Sequence, residues 1–215
     1  DMGSVSQIGW HWFVHLVRKG HVVTLVTHVR NRPAIESALD SMPDLRPQSQ
    51  VIYIDTEWLA GPLYRLARRL FPRSEHGVFM VSQLDYFAFD FAAVRSLREM
   101  MHGGKKWDLV HIVTPVTTSA PSRLHKLGLP VVRGPLNCGL PVPSGFASVM
   151  KQDSMHLAKL RTLPKLLDQL LGSLRSCSAI LVATRATLAA IPESARSKCV
   201  PKLENAIDPG CFQPG

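Results

Sequence analysis

"WDLVHIVTPVTTSAPSRLHKLGLPVVRGP" (residues 107–135) carries the reading of the fold in one run. It opens on a β-branched strand, "WDLVHIVTP" (107–115), and closes on another, "LPVVRGP" (129–135). The stretch between them predicts a loop, a helix of about ten residues, and Gly128 as the stop. Strand, crossover and strand in that order predict two parallel strands joined by a right-handed connection.

The same alternation extends in both directions. "HVVTLVTHV" (21–29), "QVIYID" (50–55), "SAILVAT" (178–184) and "KCVPKLEN" (198–205) have strand character. Residues 8–19 predict a helix with Ile8, Trp12 and Leu16 on one face, Phe13 beside them, and Gly20 as its C′ residue. Residues 58–71 place Leu59, Leu63, Leu66 and Leu70 in register, with Arg65, Arg68 and Arg69 opposite. Residues 83–102 and 155–176 predict longer helices, the second bent or restarted at Pro164. The expectation is an α/β fold, a Rossmann-like parallel sheet with helices on both faces, in one domain over residues 1–215. No internal repeat or low-complexity tract interrupts it.

A second stretch, "VVRGPLNCGLPVPSGF" (131–146), marks the site candidate. Val131 and Val132 read as the end of a strand buried on both faces. Gly134, Pro135, Gly139, Pro141, Pro143 and Gly145 predict irregular backbone from there on. In parallel sheets, ligands gather at the carboxyl ends of the strands.

Apolar residues make up 46% of the 215, which suits a packed core and not a disordered chain. No apolar run reaches the ~20 residues a membrane helix needs. No secretory signal follows Asp1, and the absence of an initial Met suggests an upstream part cut away. Four cysteines, Cys138, Cys177, Cys199 and Cys211, lack any C-x-x-C spacing and read as reduced structural thiols in a cytoplasmic setting. Lysine and arginine number 25 against 16 acidic residues, so the net charge of +9 favours anionic partners. Nucleic acid is not expected among them, since neither a recognition-helix motif nor interleaved stacking aromatics is present. The basic face of "WLAGPLYRLARRLFPR" (58–73) reads as a solvated helix surface, or as peripheral contact with an anionic membrane.

Chemistry-bearing residues are few. "GSVSQIGWHW" (3–12) reads as a glycine turn entering a helix, where backbone amides and the helix dipole favour an anion. It is neither G-x-G-x-x-G nor a Walker A loop, which argues against a dinucleotide oxidoreductase. His111 lies within a strand, either bonded to a backbone carbonyl in the core or facing a substrate hydroxyl near the strand end. His21 opens a strand and reads as structural. The histidines and cysteines show no metal-ligand spacing, so no metal is expected. Glu204 and Asp208 in "LENAIDPGCF" flank a turn, and by themselves read as turn-capping groups.

Four segments, in order, resemble family 4 (GT-B) glycosyltransferases. "MGSVSQIGWHWFVHLVRKGHVVTLVTHVRNRPAIE" is similar to that family's opening, from glycine loop to second strand. "WDLVHIVTPVTTSAPS" resembles its strand four, and "LPVVRGPLNCGLPVPSGF" its next strand and glycine loop. "SAILVATRATLAAIPESARSKCVPKLENAIDPGCFQP" is similar to the segment that leads to the interdomain hinge. The resemblance implies the N-terminal, acceptor-side domain of a retaining enzyme. Such an enzyme moves a sugar from a nucleotide-sugar donor to a hydroxyl acceptor, a glycan or a lipid-linked molecule. It implies no cofactor, the nucleotide-sugar being a co-substrate.

On that resemblance the chain lacks its first strand and the C-terminal donor-binding domain, with that domain's Glu-x7-Glu motif, and is inactive alone. Gly3, Ser4 and Gly9 match the loop approaching the donor phosphates. Gly134, Pro135, Asn137 and Gly139 match the cleft and acceptor loop, and Glu204, Asn205 and Asp208 the hinge turn. His111 matches the first histidine of a His-x-His pattern whose second position is Val113, leaving His111 and Thr114 as catalytic candidates. Cys138 and Ala206 stand where the family has glycine, and a β-carbon there disfavours positive φ. These departures also suit a different class, a non-catalytic α/β module that binds a nucleotide or sugar.

Overall fold

A computed structural model describes residues 4–70, 75–138, 168 and 171–203. The fold is α/β with parallel strands. In chain order the elements are α1 (Ser4–Arg18), β1 (Val23–His28), α2 (Arg32–Ser41), β2 (Ser49–Ile54), α3 (Glu57–Leu70) and α4 (Glu75–His102). There follow β3 (Val110–Ile112), β4 (Val131–Leu136), β5 (Ala179–Val182), α5 (Arg185–Ala190), α6 (Glu193–Arg196) and β6 (Cys199–Pro201). β1 and β2 pair parallel, and β3, β4, β5 and β6 form a four-stranded parallel sheet in that order.

Strand alternation distributes side chains to two helical layers. Val23 and Leu25 of β1, with Val51 and Tyr53 of β2, pack against Phe13, Val14 and Val17 of α1 and Ile35 and Leu39 of α2. Val26 and Ile52, one register position away, pack with Val94 and Leu97 of α4. Val110 of β3 joins that same cluster. The Trp107 indole N–H donates to Thr24 Oγ1 at 2.9 Å, so the amino ends of β1 and β3 lie together. Among the described residues β1 is hydrogen-bonded along one edge only, and all six of its residues are half-buried.

α1 ends as its sequence predicts. Gly20 takes φ +89°. Its N–H reaches the Val17 carbonyl at 2.8 Å, and the His21 N–H reaches Leu16 at 3.2 Å, a Schellman closure that a β-carbon would strain. The helix starts earlier than expected, however, at Ser4. Its buried face runs through Ile8, Phe13, Val14 and Val17, leaving Trp12 and Leu16 half-buried.

Three further expectations are corrected. In α3 the inward residues are Ala60 and Ala67, while Leu66 is 49% exposed. α3 lies against α4, and small side chains allow the two axes a close approach that a row of leucines would prevent. The expected helix in the β3–β4 crossover is a single 3-10 turn, Leu124–Leu127, closed by Gly128 at φ +77°. Side chains take the backbone donors that a helix needs there: Ser173 Oγ accepts from the Ser122 N–H, and Asp90 from the Arg123 N–H. Gly134 and Pro135 are not loop residues but lie inside β4. A register shift between Arg133 and Leu136 takes Pro135, which has no N–H, out of the ladder. The Gly134–Pro135 and Thr114–Pro115 peptide bonds are cis.

The predicted helix over 155–176 lies outside the described residues except at its end, where Asp168 and Leu171 are helical and Gly172 turns at φ +65°. Among the described residues Cys138, Cys177 and Cys199 are free thiols, and burial pushes the latter two upward in pKa. No helix among the described residues is long and apolar enough to cross a membrane.

Candidate functional site at the carboxyl ends of β3 and β4

Three elements converge where β3 and β4 end. His111 sits in the middle of β3, and its imidazole Nε2–H donates to the Gly134 carbonyl of β4 at 2.8 Å. The Trp12 ring of α1 stands edge-on to the imidazole, centroids 4.7 Å apart. One turn earlier, Gly9 lies over the strand end: a β-carbon there would sit 3.6 Å from Thr114 Cγ2. The amino-terminal half of α1, the positive end of its dipole, thus covers the carboxyl end of β3.

This geometry puts a proton on Nε2 of His111. The carbonyl accepts, so Nε2 holds a proton, and in the neutral ring Nδ1 is an acceptor. Burial lowers the His111 pKa and the Gly134 hydrogen bond partly restores it. A neutral imidazole results at neutral pH, and Thr114, two residues past the end of β3, is exposed. The carbonyl-bonded alternative for His111 is the one the structure shows.

The loops leaving the strands are tied together. The Asn137 N–H donates to the Val116 carbonyl at 2.8 Å, joining the chain after β4 to the chain after β3. Thr187 of α5 bonds both backbone groups of Cys138, accepting from its N–H at 3.0 Å and donating to its carbonyl at 2.9 Å. Cys138 keeps negative φ, so its β-carbon is accommodated where the resemblance has glycine. Gly134 cannot be replaced in this way: it holds φ +114°, and a β-carbon would fall 2.4 Å from the Leu181 carbonyl oxygen.

A buried charge braces the assembly from below. Arg133 on β4 is fully buried. Its guanidinium donates to the carbonyls of Thr117 at 3.0 Å and Ala120 at 2.5 Å, and to Ser173 Oγ at 2.9 Å. Its Nε has no partner among the described residues. Asp90 of α4, also buried, accepts from the Ser122 hydroxyl at 2.5 Å and lies 3.4 Å from Arg123 Nε. Burial raises the Asp168 pKa, opposed first by the Arg133 charge. Together Arg133 and Asp90 hold residues 117–123 in place.

Of the residues singled out in the sequence, Gly9, His111, Thr114 and Gly134 are brought together. Ser4 and Gly9 are helix residues of α1 and not members of a loop, since nothing between Ser4 and Gly9 breaks the helix. Pro135 is buried in β4, and Asn137 follows it half-buried. Gly3, Gly139, Glu204, Asn205 and Asp208 lie outside the described residues. No group of side chains suited to a metal ion occurs among the described residues. Sequence reasoning passed over Arg133. Its one signal was a lone cation inside an apolar strand, "LPVVRGP".

Scans against protein-family models, curated proteins and solved structures give no match to this chain.

Proposed function

We propose that this chain is the acceptor-side domain of a retaining nucleotide-sugar glycosyltransferase. The observation that carries the reading is the contact of α1 with the ends of β3 and β4, through Gly9 and Thr114 and through Trp12, His111 and Gly134. Sugar transfer concentrates negative charge on the departing diphosphate, and a helix amino terminus at a strand edge stabilises such charge without a metal. The neutral His111 offers Nδ1 as a hydrogen-bond acceptor to a sugar hydroxyl, and the Thr114 hydroxyl serves as donor or acceptor beside it. Gly3, Ser4 and Gly9 would face the donor phosphates. Asn137 and Gly139 would line the acceptor wall, and Glu204, Asn205 and Asp208 the turn toward a donor-binding domain.

The test is the reading frame downstream of Gly215. A second Rossmann-like domain carrying Glu-x7-Glu supports the enzyme. A stop codon close behind supports the non-catalytic binding module instead.

A second reading concerns location, a cytoplasmic protein held peripherally on an anionic membrane face. Trp58, Pro62, Arg65, Leu66 and Arg69 are all exposed and, at 100° per residue, share one stripe of α3 opposite buried Ala60 and Ala67. Trp58 is 73% exposed. An aromatic and an aliphatic side chain flanked by arginines suit the headgroup boundary of a bilayer.

A further inference from the structure

A second polar cluster is built from three separate parts of the chain. His28 ends β1, Thr56 follows β2, and Asp85 belongs to α4. The Arg30 backbone N–H donates to His28 Nδ1 at 3.1 Å, which places the ring proton on Nε2. That Nε2–H faces Thr56 Oγ1 at 2.9 Å, and the Thr56 hydroxyl donates in turn to Asp85 Oδ1 at 2.6 Å. Thr56 is 2% exposed. The relay runs from ring to hydroxyl to carboxylate, so its product is a carboxylate fixed in direction.

Asp85 looks into a cavity of about 290 Å³, lined also by Arg30, Ala60, Gly61, Leu63 and Tyr64. Its second oxygen lies 3.6 Å from Arg30 Nη1, while Arg30 Nε bonds Glu57. Two carboxylates thus share one guanidinium. The lining carries one guanidinium, Arg30, already engaged by two carboxylates, and one carboxylate, Asp85, so it offers no net positive charge to a phosphate. The Tyr64 hydroxyl accepts from Arg68 Nε at 3.0 Å and keeps its own proton to donate. Ala60, Gly61 and Leu63 supply apolar wall, and a β-carbon on Gly61 would meet nothing within 4 Å.

We infer that this cavity binds a neutral, hydroxyl-rich ring, a monosaccharide unit or a cyclic polyol. A carboxylate and a guanidinium side by side match vicinal hydroxyls, and a tyrosine ring with aliphatic neighbours matches the C–H face of such a ring. The volume lies at the lower end of the about 300–1,000 Å³ typical of ligand pockets, room for one small ring and not for a nucleotide. The choice of a saccharide rests on the sugar-transfer reading above, as a subsite for the acceptor, but the binding test reads the cavity directly.

The experiment is amide chemical-shift mapping of the isotope-labelled 215-residue chain, titrated with methyl α-D-glucopyranoside, methyl α-D-mannopyranoside and myo-inositol. Inorganic phosphate and ethanolamine serve as comparison probes. At least one neutral probe is expected to shift Gly61, Tyr64 and Asp85 saturably. Asp85→Asn should weaken that binding about tenfold, the loss of one charge-assisted hydrogen bond. Gly61→Leu, which fills the cavity from an open position, should abolish it with the thermal melt not lowered. Shifts confined to Gly9, His111 and Thr114 would overturn the inference and leave the sugar-transfer reading standing. Response to ethanolamine or phosphate alone, or to none of the probes, would overturn it as well.

Discussion

His111 of β3 donates its Nε2–H to the backbone carbonyl of Gly134 on β4, across 2.8 Å. The bond joins the two strands on whose ends the proposed activity depends, and it requires a proton on Nε2. Burial lowers the His111 pKa from the ordinary 6.5. The folded protein therefore binds fewer protons at this site than the unfolded chain, and stability rises with pH through that interval. The contribution is complete above about 6.5 and declines as pH falls below it toward the lowered folded value. In melts from pH 8 to pH 5, His111→Gln should lose less stability on acidification than the wild type. Parallel losses in the two proteins would show that His111 does not titrate against folding.

Two glycines should answer substitution in opposite directions. Gly134→Ala puts a β-carbon against the Leu181 carbonyl at a φ of +114°, and is expected to cost about 3 kcal/mol or more in urea unfolding. Gly9→Ala meets only ordinary contact with Thr114 in the middle of α1, and should stabilise by about 0.5–1 kcal/mol. Equal effects at both positions would contradict the placement of α1 over β3.

Arg133→Met removes the donors that hold Thr117, Ala120 and Ser173, leaving their acceptors buried. A destabilisation of about 3 kcal/mol is expected, with hydrogen exchange accelerated at residues 117–123. Arg133→Lys should not restore protection, because an ammonium does not reproduce the planar fork. Unchanged exchange in that loop would remove Arg133 as its brace.

Much of the architecture was legible in the chain. Apolar β-branched residues mark the six strands of the described residues, and Gly20 marks the end of α1, because those signals are local. What escaped depended on partners distant in sequence. The inward face of α3 is set by its approach to α4, which selects Ala60 and Ala67 over the leucines that periodicity favours. The crossover lost its helix to Asp90 and Ser173, the latter 51 residues beyond Ser122. Gly134 and Pro135 resemble loop residues by type, yet a register shift lets both sit in a strand. At the site, His111 and Gly9 were recognisable. Arg133 and the His28–Thr56–Asp85 relay were not, since each exists only once several elements pack.

The exposed stripe of α3 predicts co-sedimentation with anionic phospholipid vesicles at low salt and release at high salt. Trp58→Ala with Arg65→Glu and Arg69→Glu should abolish it, with the fold unchanged because all three side chains are exposed. Equal sedimentation by this variant would assign membrane contact elsewhere, and its absence in the wild type would end the peripheral reading.

The account turns on sugar transfer at the edge where α1 meets β3 and β4. Its most direct test is to incubate the protein expressed from the complete reading frame with labelled nucleotide-sugars and hydroxyl acceptors, and to read the anomeric configuration of the product by NMR. The predicted result is transfer with retained configuration, reduced at least about 100-fold in His111→Ala. An inverted anomer, or transfer unaffected by His111→Ala, would contradict it.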